Sequence, residues 1–327
     1  MSSTSSAYFP GYYLRSKRGF AMRRGVSLIE VLVAIFVTAI GLLSILALFP
    51  VGAFSMRHAI DNGRVVQCSQ NAAALAAALN LKTDSGATGG NAFSDPTAGI
   101  LPAAVAGSPS YPVFVDPIGS ASLASGGSWL GGLKAIPRKV PSYVTSYKLG
   151  LQYFSLMDDL SFQQDGSPKA VSVSPGGNII EREILYSWAY MLHQPALNSG
   201  LTEMSVVIYS HRPLGFALPS SERIFAAAGT AKGNTLTISY APGIGQAAPE
   251  LKAGAWLLDC SQEATAAGIK QNGPVHGKYY RVVNATPGTD AAGNPAVSCE
   301  LQERLLMDVS SVLIQDNVLE VIERGLN

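Results

Sequence analysis

The sequence is poor in charge and in recognisable catalytic motifs. Charged residues make up 14% of its 327 residues, well below the ~25% of an average soluble domain. It contains no G-x-S-x-G elbow, no H-E-x-x-H, no C-x-x-C pair and no Walker Gly-Lys-Ser/Thr loop. The histidines are scattered, without a second His or Cys at metal-ligand spacing: His58, His193, His211 and His276. These absences argue against an enzyme, and we expect no cofactor.

The longest stretch without charge runs from Val31 to Phe54, over 24 residues. As an α-helix with a rise of ~1.5 Å per residue it would reach ~36 Å, enough to cross a hydrocarbon core of ~30 Å. Residues 1–25 contain five Arg or Lys and no Asp or Glu. The positive-inside rule therefore predicts a single span with a cytoplasmic N-terminus and an exported C-terminal domain. A secretory signal peptide fits poorly, because its apolar region has only ~7–15 residues.

Glu30 immediately precedes this uncharged run. A carboxylate in an apolar segment is costly, and such residues are usually paired and functional. If the chain is cut after Gly25, Val26 becomes the N-terminus and Glu30 the fifth residue. The new amine and the Glu30 carboxylate could then neutralise each other between neighbouring subunits of a filament. The alternative is an ordinary signal anchor in which Glu30 extends to the cytoplasmic interface.

The segment RRGVSLIEVLVA, which begins at Arg23, resembles the class III signal of type IV prepilins and type II secretion pseudopilins. The resemblance implies that a membrane-embedded aspartic peptidase cleaves between Gly25 and Val26 and methylates Val26, and that Glu30 serves assembly. The IGLL that begins at Ile40 is most similar to V-type minor pilins and I-type minor pseudopilins. The chain departs from the family in its long leader and in Val, rather than Phe or Met, at the first mature position.

The resemblance also implies location and partners. It predicts an inner-membrane protein with a periplasmic C-terminal domain before assembly and a filament position afterwards. The implied partners are the prepilin peptidase/methyltransferase and other pilin or pseudopilin subunits. Loss of the leader would change the formal net charge from +1 to −4, so the mature chain lacks the basic footprint of a nucleic-acid-binding protein.

The predicted fold class is α+β and pilin-like, with a long transmembrane helix packed on an antiparallel β domain. Four segments are expected: a basic leader at 1–25, a helix at 26–80, a Gly/Ser/Ala/Pro-rich loop region at 81–140 and a β-rich exported domain at 141–327. Pro50 and Gly52 predict a weak point in the helix. Within the loop region, YPVFVDPIG is expected to form a short edge strand.

Segments whose composition favours β-strands begin near residue 144. The stretches SYKLGLQYFSLM, IIEREILYSWAYML and EMSVVIYSHRP are rich in β-branched and aromatic residues and predict strands. The later stretches NTLTISYA, AGAWLLDC, KYYRVVNA and AVSCELQERLLM predict an antiparallel sheet or a small barrel. The final SVLIQDNVLEVIERGLN is expected to be a strand with an irregular end, with a C-terminal helix as the alternative.

Cysteine is scarce, with three residues. Cys68 lies at helical spacing and is expected to be a small buried apolar residue. Cys260 and Cys299 lie in strand-like runs, and an oxidising compartment would permit a bridge between them; a C-terminal disulfide loop would also resemble many pilins. Sequence alone leaves this bridge open, because it does not fix the Cα separation.

The adjacent carboxylates Asp158 and Asp159 are the one pair that could bind Ca²⁺, which takes clustered oxygen ligands. A turn or helix cap before Leu160 is the favoured interpretation, so no metal is expected. The leading hypothesis for function is therefore a structural filament subunit. The alternatives are a membrane-anchored adhesin or ligand-binding protein and, with least support, an anchored enzyme.

Overall fold

The structure is a computed structural model that describes residues 27–81, 113–119, 138–145, 147–172, 177–193, 202–212, 222–244, 246–261, 276–315 and 317–326. The predicted leader, the cleavage site at Gly25 and Val26, and most of the predicted loop region lie outside the described residues. The chain divides into two compact units between Ala59 and Ile60.

The long apolar run forms the first half of helix α1, Leu28–Ala78, which has 51 residues. Ser27 precedes the helix, and its carbonyl accepts hydrogen bonds from the amides of Glu30 at 2.9 Å and Val31 at 3.2 Å. It continues through Pro50, where the sequence predicted a weak point.

The helix ends two residues before the predicted limit at Asn80, and a C-cap explains why. Asn80 adopts a left-handed conformation with φ of 45°. The amide of Leu81 then bonds the carbonyl of Ala76 at 3.0 Å, and that of Asn80 bonds Ala77 at 3.2 Å. This is the Schellman arrangement, in which Asn is tolerated at the left-handed position.

The second unit, from Ile60 onward, contains the remainder of α1, a short helix, a 3-10 turn and thirteen described strands. In chain order these are β1 Val113–Val115, β2 Arg138–Lys139, α2 Tyr147–Tyr153, β3 Ala170–Ser172, β4 Asn178–Ile180, β5 Tyr186–His193, β6 Thr202–Ser210, β7 Glu222–Gly229, β8 Thr235–Ser239, the 3-10 turn Pro242–Ile244, β9 Trp256–Asp259, β10 Lys278–Thr289, β11 Pro295–Leu301, β12 Val309–Gln315 and β13 Val318–Leu326.

The strands form two main bodies. A five-stranded sheet has the order β13-β6-β5-β1-β2, and a closed barrel has the order β10-β11-β8-β7-β12-β9. All pairings in these bodies are antiparallel except β1 with β2. The α+β prediction is confirmed, since a long apolar helix precedes an antiparallel β domain. The predicted small barrel is present.

Strand β5, at the centre of the five-stranded sheet, is buried on both faces. Along β5, Tyr186, Trp188 and Tyr190 pack with α1, whereas Ala189 and Met191 pack with barrel residues. This alternation follows from the two-residue period of a strand. The barrel interior is a third core that includes Phe225, Ile238, Leu257, Tyr280 and Val297. The second unit is thus layered as helix, sheet and barrel.

Two predictions between residues 111 and 157 need correction: one predicted strand contains a helix, and one predicted edge strand lies inside a sheet. The stretch SYKLGLQYFSLM contains helix α2, and the residue after it, Phe154, is fully buried and donates its amide to the carbonyl of Gly150 at 3.0 Å. Strand β1 is not an edge strand, since it pairs with β2 on one side and β5 on the other.

The predicted irregular C-terminal end is also wrong. After β12 the chain turns at Asn317, whose side-chain amide donates to the carbonyl of His211 at 2.7 Å. The following residues form β13, which pairs with β6 from Val318 to Leu326. The β12 strand belongs to the barrel and β13 to the sheet, so the last two strands tie both bodies together.

Candidate functional site

The candidate assembly surface is the apolar half of α1 that lies in the first unit. Its large apolar side chains from Leu28 to Met56 are between 45% and 77% exposed. The most apolar window of α1 has a mean hydropathy of 2.9 and none of it is buried, so the helix is long and apolar enough to cross a membrane. An apolar surface of this kind is stable only against lipid or other apolar helices.

Glu30 is the charged residue of this surface, and it lies exposed in the first turn of α1. The next charged residue along the chain is Arg57. A carboxylate in the first turn interacts favourably with the helix macrodipole. The structure thus places the predicted assembly residue at the N-terminal end of the exposed apolar surface. Gly25 and Val26 are not among the described residues.

The hydroxyl groups within the apolar run bond to the helix itself. Thr38 Oγ1 donates to the carbonyl of Ala34 at 2.8 Å, and Ser44 Oγ donates to that of Ile40 at 3.0 Å. Hydroxyls bonded in this way can enter lipid or a helix interface without an unsatisfied donor. The surface is therefore compatible with burial along its whole length beyond Glu30.

In the second unit, α1 is joined to the β domain by buried contacts. Tyr190 on β5 donates its hydroxyl to the carbonyl of Ala72 at 2.8 Å, and Trp188 Nε1 donates to the Tyr190 oxygen at 3.2 Å. Cys68 packs in the same cluster with no exposed surface, as predicted for a small apolar residue. Burial raises the pKa of Tyr190, so its hydroxyl stays protonated and able to donate.

Polar side chains at the start of this unit add further contacts. Tyr186 donates its hydroxyl to Asp61 at 2.7 Å. Arg64 forms an ion pair with Asp158, and this hydrogen bond lowers the pKa of the Asp158 carboxyl.

The carboxylates considered for a cation are engaged in these and similar contacts. Asp159 accepts the amide of Leu185, and burial raises its pKa. Asp158 pairs with Arg64. Among the residues that the structure describes, no group of three or more His, Cys, Asp or Glu side chains is placed to hold a metal ion.

Cys260 and Cys299 are not joined in the structure, where Cys299 is a free buried thiol. Cys260 directly follows β9 and Cys299 lies on β11, and both strands pair with β10. The register of these pairings explains why the two cysteines are far apart. Asp259, next to Cys260, lies opposite Lys278, whereas Cys299 lies opposite Ala285. At ~3.3 Å per residue these positions on β10 are roughly 20 Å apart. A disulfide requires Cα atoms within ~7 Å, so this geometry excludes the bridge.

Sequence analysis did not predict a buried ionic cluster around Arg212 or a buried histidine contact. Arg212 forms a two-bond pair with Asp116, each bond 2.7 Å long, and also contacts Glu222 at 3.1 Å. Asp116 follows β1 in the sheet and Glu222 begins β7 of the barrel, so the cluster lies between the two bodies. Attraction by the two carboxylates outweighs burial and raises the pKa of Arg212.

His276 makes the buried histidine contact. Its side chain is 8% exposed, and Nδ1 lies 2.7 Å from Asp259 Oδ2. The remaining histidines lie apart, with His58 on α1, His193 at the end of β5 and His211 just after β6. The sequence offered no signal for the partner of His276, because Asp259 precedes it by 17 positions.

Comparison with known families identifies the N-terminal segment. Residues 20–46 match the family model of the prokaryotic N-terminal methylation motif, the signature of type IV prepilin-like proteins. The match confirms the resemblance drawn from RRGVSLIEVLVA, and the motif implies processing by a prepilin peptidase and assembly with other pilins. No curated protein and no solved structure matches the chain.

Proposed function

We propose that this chain is a structural subunit, a minor pilin or pseudopilin, of a type IV pilus or a type II secretion pseudopilus. The observation that carries the proposal is the methylation motif at residues 20–46, followed by an exposed apolar helix with Glu30 at its start. Proteins with this motif are structural rather than enzymatic. The chain therefore acts by assembly.

Before assembly the subunit is held in the inner membrane by the apolar half of α1, with residues 1–25 cytoplasmic and the β domain periplasmic. The prepilin peptidase cleaves between Gly25 and Val26, and the amine of Val26 is methylated. Removal of five positive charges lets the helix end leave the cytoplasmic interface, because no cluster of cations then remains to hold it there.

Glu30 sets the axial position of each subunit relative to its neighbour during assembly. In a low-dielectric environment a lone carboxylate is strongly disfavoured, and an opposite charge within hydrogen-bonding distance relieves that cost. The amine of Val26 on a neighbouring subunit supplies this charge when the helices are stepped along the filament. Burial of the apolar side chains between helices adds a non-directional attraction through packing, so Glu30 sets the position and the apolar surface supplies contact area.

The β domain faces outward in this arrangement, and its contacts with α1 transmit the position of the helix to the domain. The length of the chain, 327 residues, favours a minor rather than a major subunit.

A substitution at Glu30 tests the proposal. We expect Glu30→Gln to insert into the membrane normally but to reduce the amount of this subunit in sheared filaments by at least roughly tenfold, the factor that corresponds to ~1.4 kcal/mol. Glu30→Asp keeps the charge and serves as the control, with a smaller loss. Wild-type incorporation of Glu30→Gln would refute the pairing role.

A further inference from the structure

Beyond α1, the described residues expose six large apolar side chains, and four of them fall between residues 153 and 180. These four, here called the α2 patch, are Tyr153, Met157, Phe162 and Ile180. Met157 is 75% exposed and Phe162 61%. The other two, Val283 and Leu306, belong to the barrel region. Because exposed apolar side chains that lie together mark interaction sites, this segment is the candidate for one.

The segment that carries the α2 patch is held together by its own polar contacts. Arg182, next to β4, donates to the carbonyls of Gln152 at 2.6 Å and Leu156 at 3.2 Å. The amide of Ser161 donates to the carbonyl of Glu181 at 2.9 Å. These bonds hold α2, the turn after it and β4 in fixed positions relative to one another. The four apolar side chains are therefore presented by an ordered framework.

The α2 patch borders the end of the second unit at which the chain enters. Met157 is followed directly by Asp158, which pairs with Arg64. The second unit begins at Ile60, so Arg64 lies in its first helical turns. The contact of Asp61 with Tyr186 marks the same end.

The covalent connection limits the distance between this end and the uncharged run. Ile60 follows Phe54 by six positions in the sequence. A chain extends at most ~3.6 Å per residue, so the link is no longer than roughly 22 Å in any conformation. If the run crosses a membrane, the entry end of the β domain is permanently close to the lipid surface. A tethered contact of this kind is intramolecular and forms at high effective concentration.

We propose that the α2 patch docks on the periplasmic lipid surface of the membrane that holds α1, in the state that precedes assembly. This inference rests on the anchoring part of the proposed function. Side chains such as Met, Phe and Tyr enter the boundary between headgroups and acyl chains, as in interfacial helices. The lysines of the segment are engaged within the protein, since Lys148 donates to the carbonyl of Ser172 at 2.9 Å and Lys169 pairs with Glu181, so the docking rests on the apolar side chains. Docking would keep the β domain in one orientation on the membrane until the subunit leaves the membrane for the filament.

Spin labels on the full-length chain test the docking. Met157→Cys and Phe162→Cys are each labelled with a nitroxide and reconstituted, at low protein-to-lipid ratio, in phosphatidylethanolamine and phosphatidylglycerol vesicles. The native cysteines Cys68, Cys260 and Cys299 are buried, so an introduced cysteine is labelled selectively. Power saturation then compares collisions with oxygen, which partitions into lipid, and with a water-soluble nickel complex.

Two further positions are matched to Phe162 in exposure. Leu306→Cys reports on the barrel, where the native side chain is 67% exposed, and Val37→Cys reports on the apolar run, where it is 61% exposed. We expect the ratio of oxygen to nickel accessibility at positions 157 and 162 to be severalfold higher than at 306 and to approach that at 37.

The remaining outcomes separate the two proposals. A lipid-like value at 37 with water-like values at 157 and 162 would overturn the docking and leave the anchor intact. A water-like value at 37 would overturn the anchor and the docking with it. Low accessibility to both reagents at 157 and 162 would mean that protein, such as a second copy of the chain, covers the patch, which would also overturn the lipid assignment.

Discussion

Tyr190 on the sheet donates a 2.8 Å hydrogen bond to the main-chain carbonyl of Ala72 on α1, and neither residue has exposed surface. The bond joins the helix that is proposed to enter the filament to the domain that the filament would display. Because the Tyr190 oxygen also accepts from Trp188, a single hydroxyl links helix and sheet through two bonds.

Replacing Tyr190 with Phe should therefore weaken the attachment of the helix. The substitution removes the bond to Ala72 and leaves the buried indole N–H of Trp188 without its acceptor. Each buried loss of this kind costs ~1–3 kcal/mol, so the two losses together should lower the free energy of unfolding by about 2–6 kcal/mol. Denaturant unfolding of the full chain in detergent measures it. Tyr153→Phe, at a 40% exposed position, is the control, and equal effects of the two variants would contradict the assignment.

The Arg212 cluster should be far more sensitive than exposed ion pairs. Arg212→Met leaves the carboxylates of Asp116 and Glu222 buried without their cation, and breaking a buried pair typically costs ~3–5 kcal/mol. Lys169→Met is the matched control, since the pair of Lys169 with Glu181 is exposed and is worth ~1 kcal/mol or less. Denaturant unfolding of both variants measures the two losses in the free energy of unfolding. A loss at Arg212 as small as that at Lys169 would show that the cluster does not hold sheet and barrel together.

Cys299 should be unreactive in the folded chain. Burial raises its pKa to about 12, so little thiolate is present near neutral pH. We expect iodoacetamide to leave it unmodified in the native protein and to alkylate it fully after unfolding without reductant. Peptide mass spectrometry distinguishes the two. Recovery of Cys299 in a peptide that is disulfide-linked to Cys260 would contradict the strand register.

The same thiol gives an alkaline pH dependence. Its folded pKa of about 12 lies above the ordinary value of 9.0, so the folded chain holds the proton more tightly than the unfolded chain. Its contribution to the free energy of unfolding is therefore complete below pH 9 and falls as the pH rises towards 12. Cys299→Ala should lower stability at neutral pH by leaving a cavity but should show a shallower decline above pH 9. An unchanged slope would contradict the burial.

Gly25→Ala should weaken or block cleavage, depending on how strictly the peptidase demands Gly. Membrane fractions from cells that express this variant should accumulate the full-length chain, detected by its larger mass on immunoblots. Gly41→Ala, which lies in α1, is the control, because a Cβ at Gly41 meets no atom within 4 Å. Processing of Gly25→Ala at the wild-type rate would mean that the motif does not direct cleavage here.

Local patterns explain which features the sequence predicted well. The uncharged run and the motif residues Gly25, Val26 and Glu30 lie close together in the sequence. The helix and the methylation motif could therefore be predicted without tertiary information. The strands β8 to β11 were likewise marked by alternation and turn residues. Helix α2 was misassigned because Tyr147, Tyr153 and the following Phe154, which favour strands, lie at or next to its two ends. In the structure this helix packs closely against the residues after β1. A Cβ added at Gly150 would lie only 3.0 Å from the Cβ of Pro117.

Long-range relationships were not predictable in this way. Arg212 and Asp116 are 96 positions apart, and no local pattern marks either as a buried partner of the other. The register of β9 and β11 on β10 depends on barrel closure, so sequence left the pairing of Cys260 with Cys299 open. The burial of β5 on two faces likewise depends on what packs on each side, which a single strand pattern does not reveal.

Mass spectrometry of the chain extracted from its native membrane tests the proposed function most directly. Intact mass and the N-terminal peptide together define the first residue and its modification. The proposal predicts a chain that begins at Val26 with a methylated amine and lacks residues 1–25. A chain that retains this leader, beginning at Met1 or Ser2, would contradict it and leave α1 as an ordinary membrane anchor.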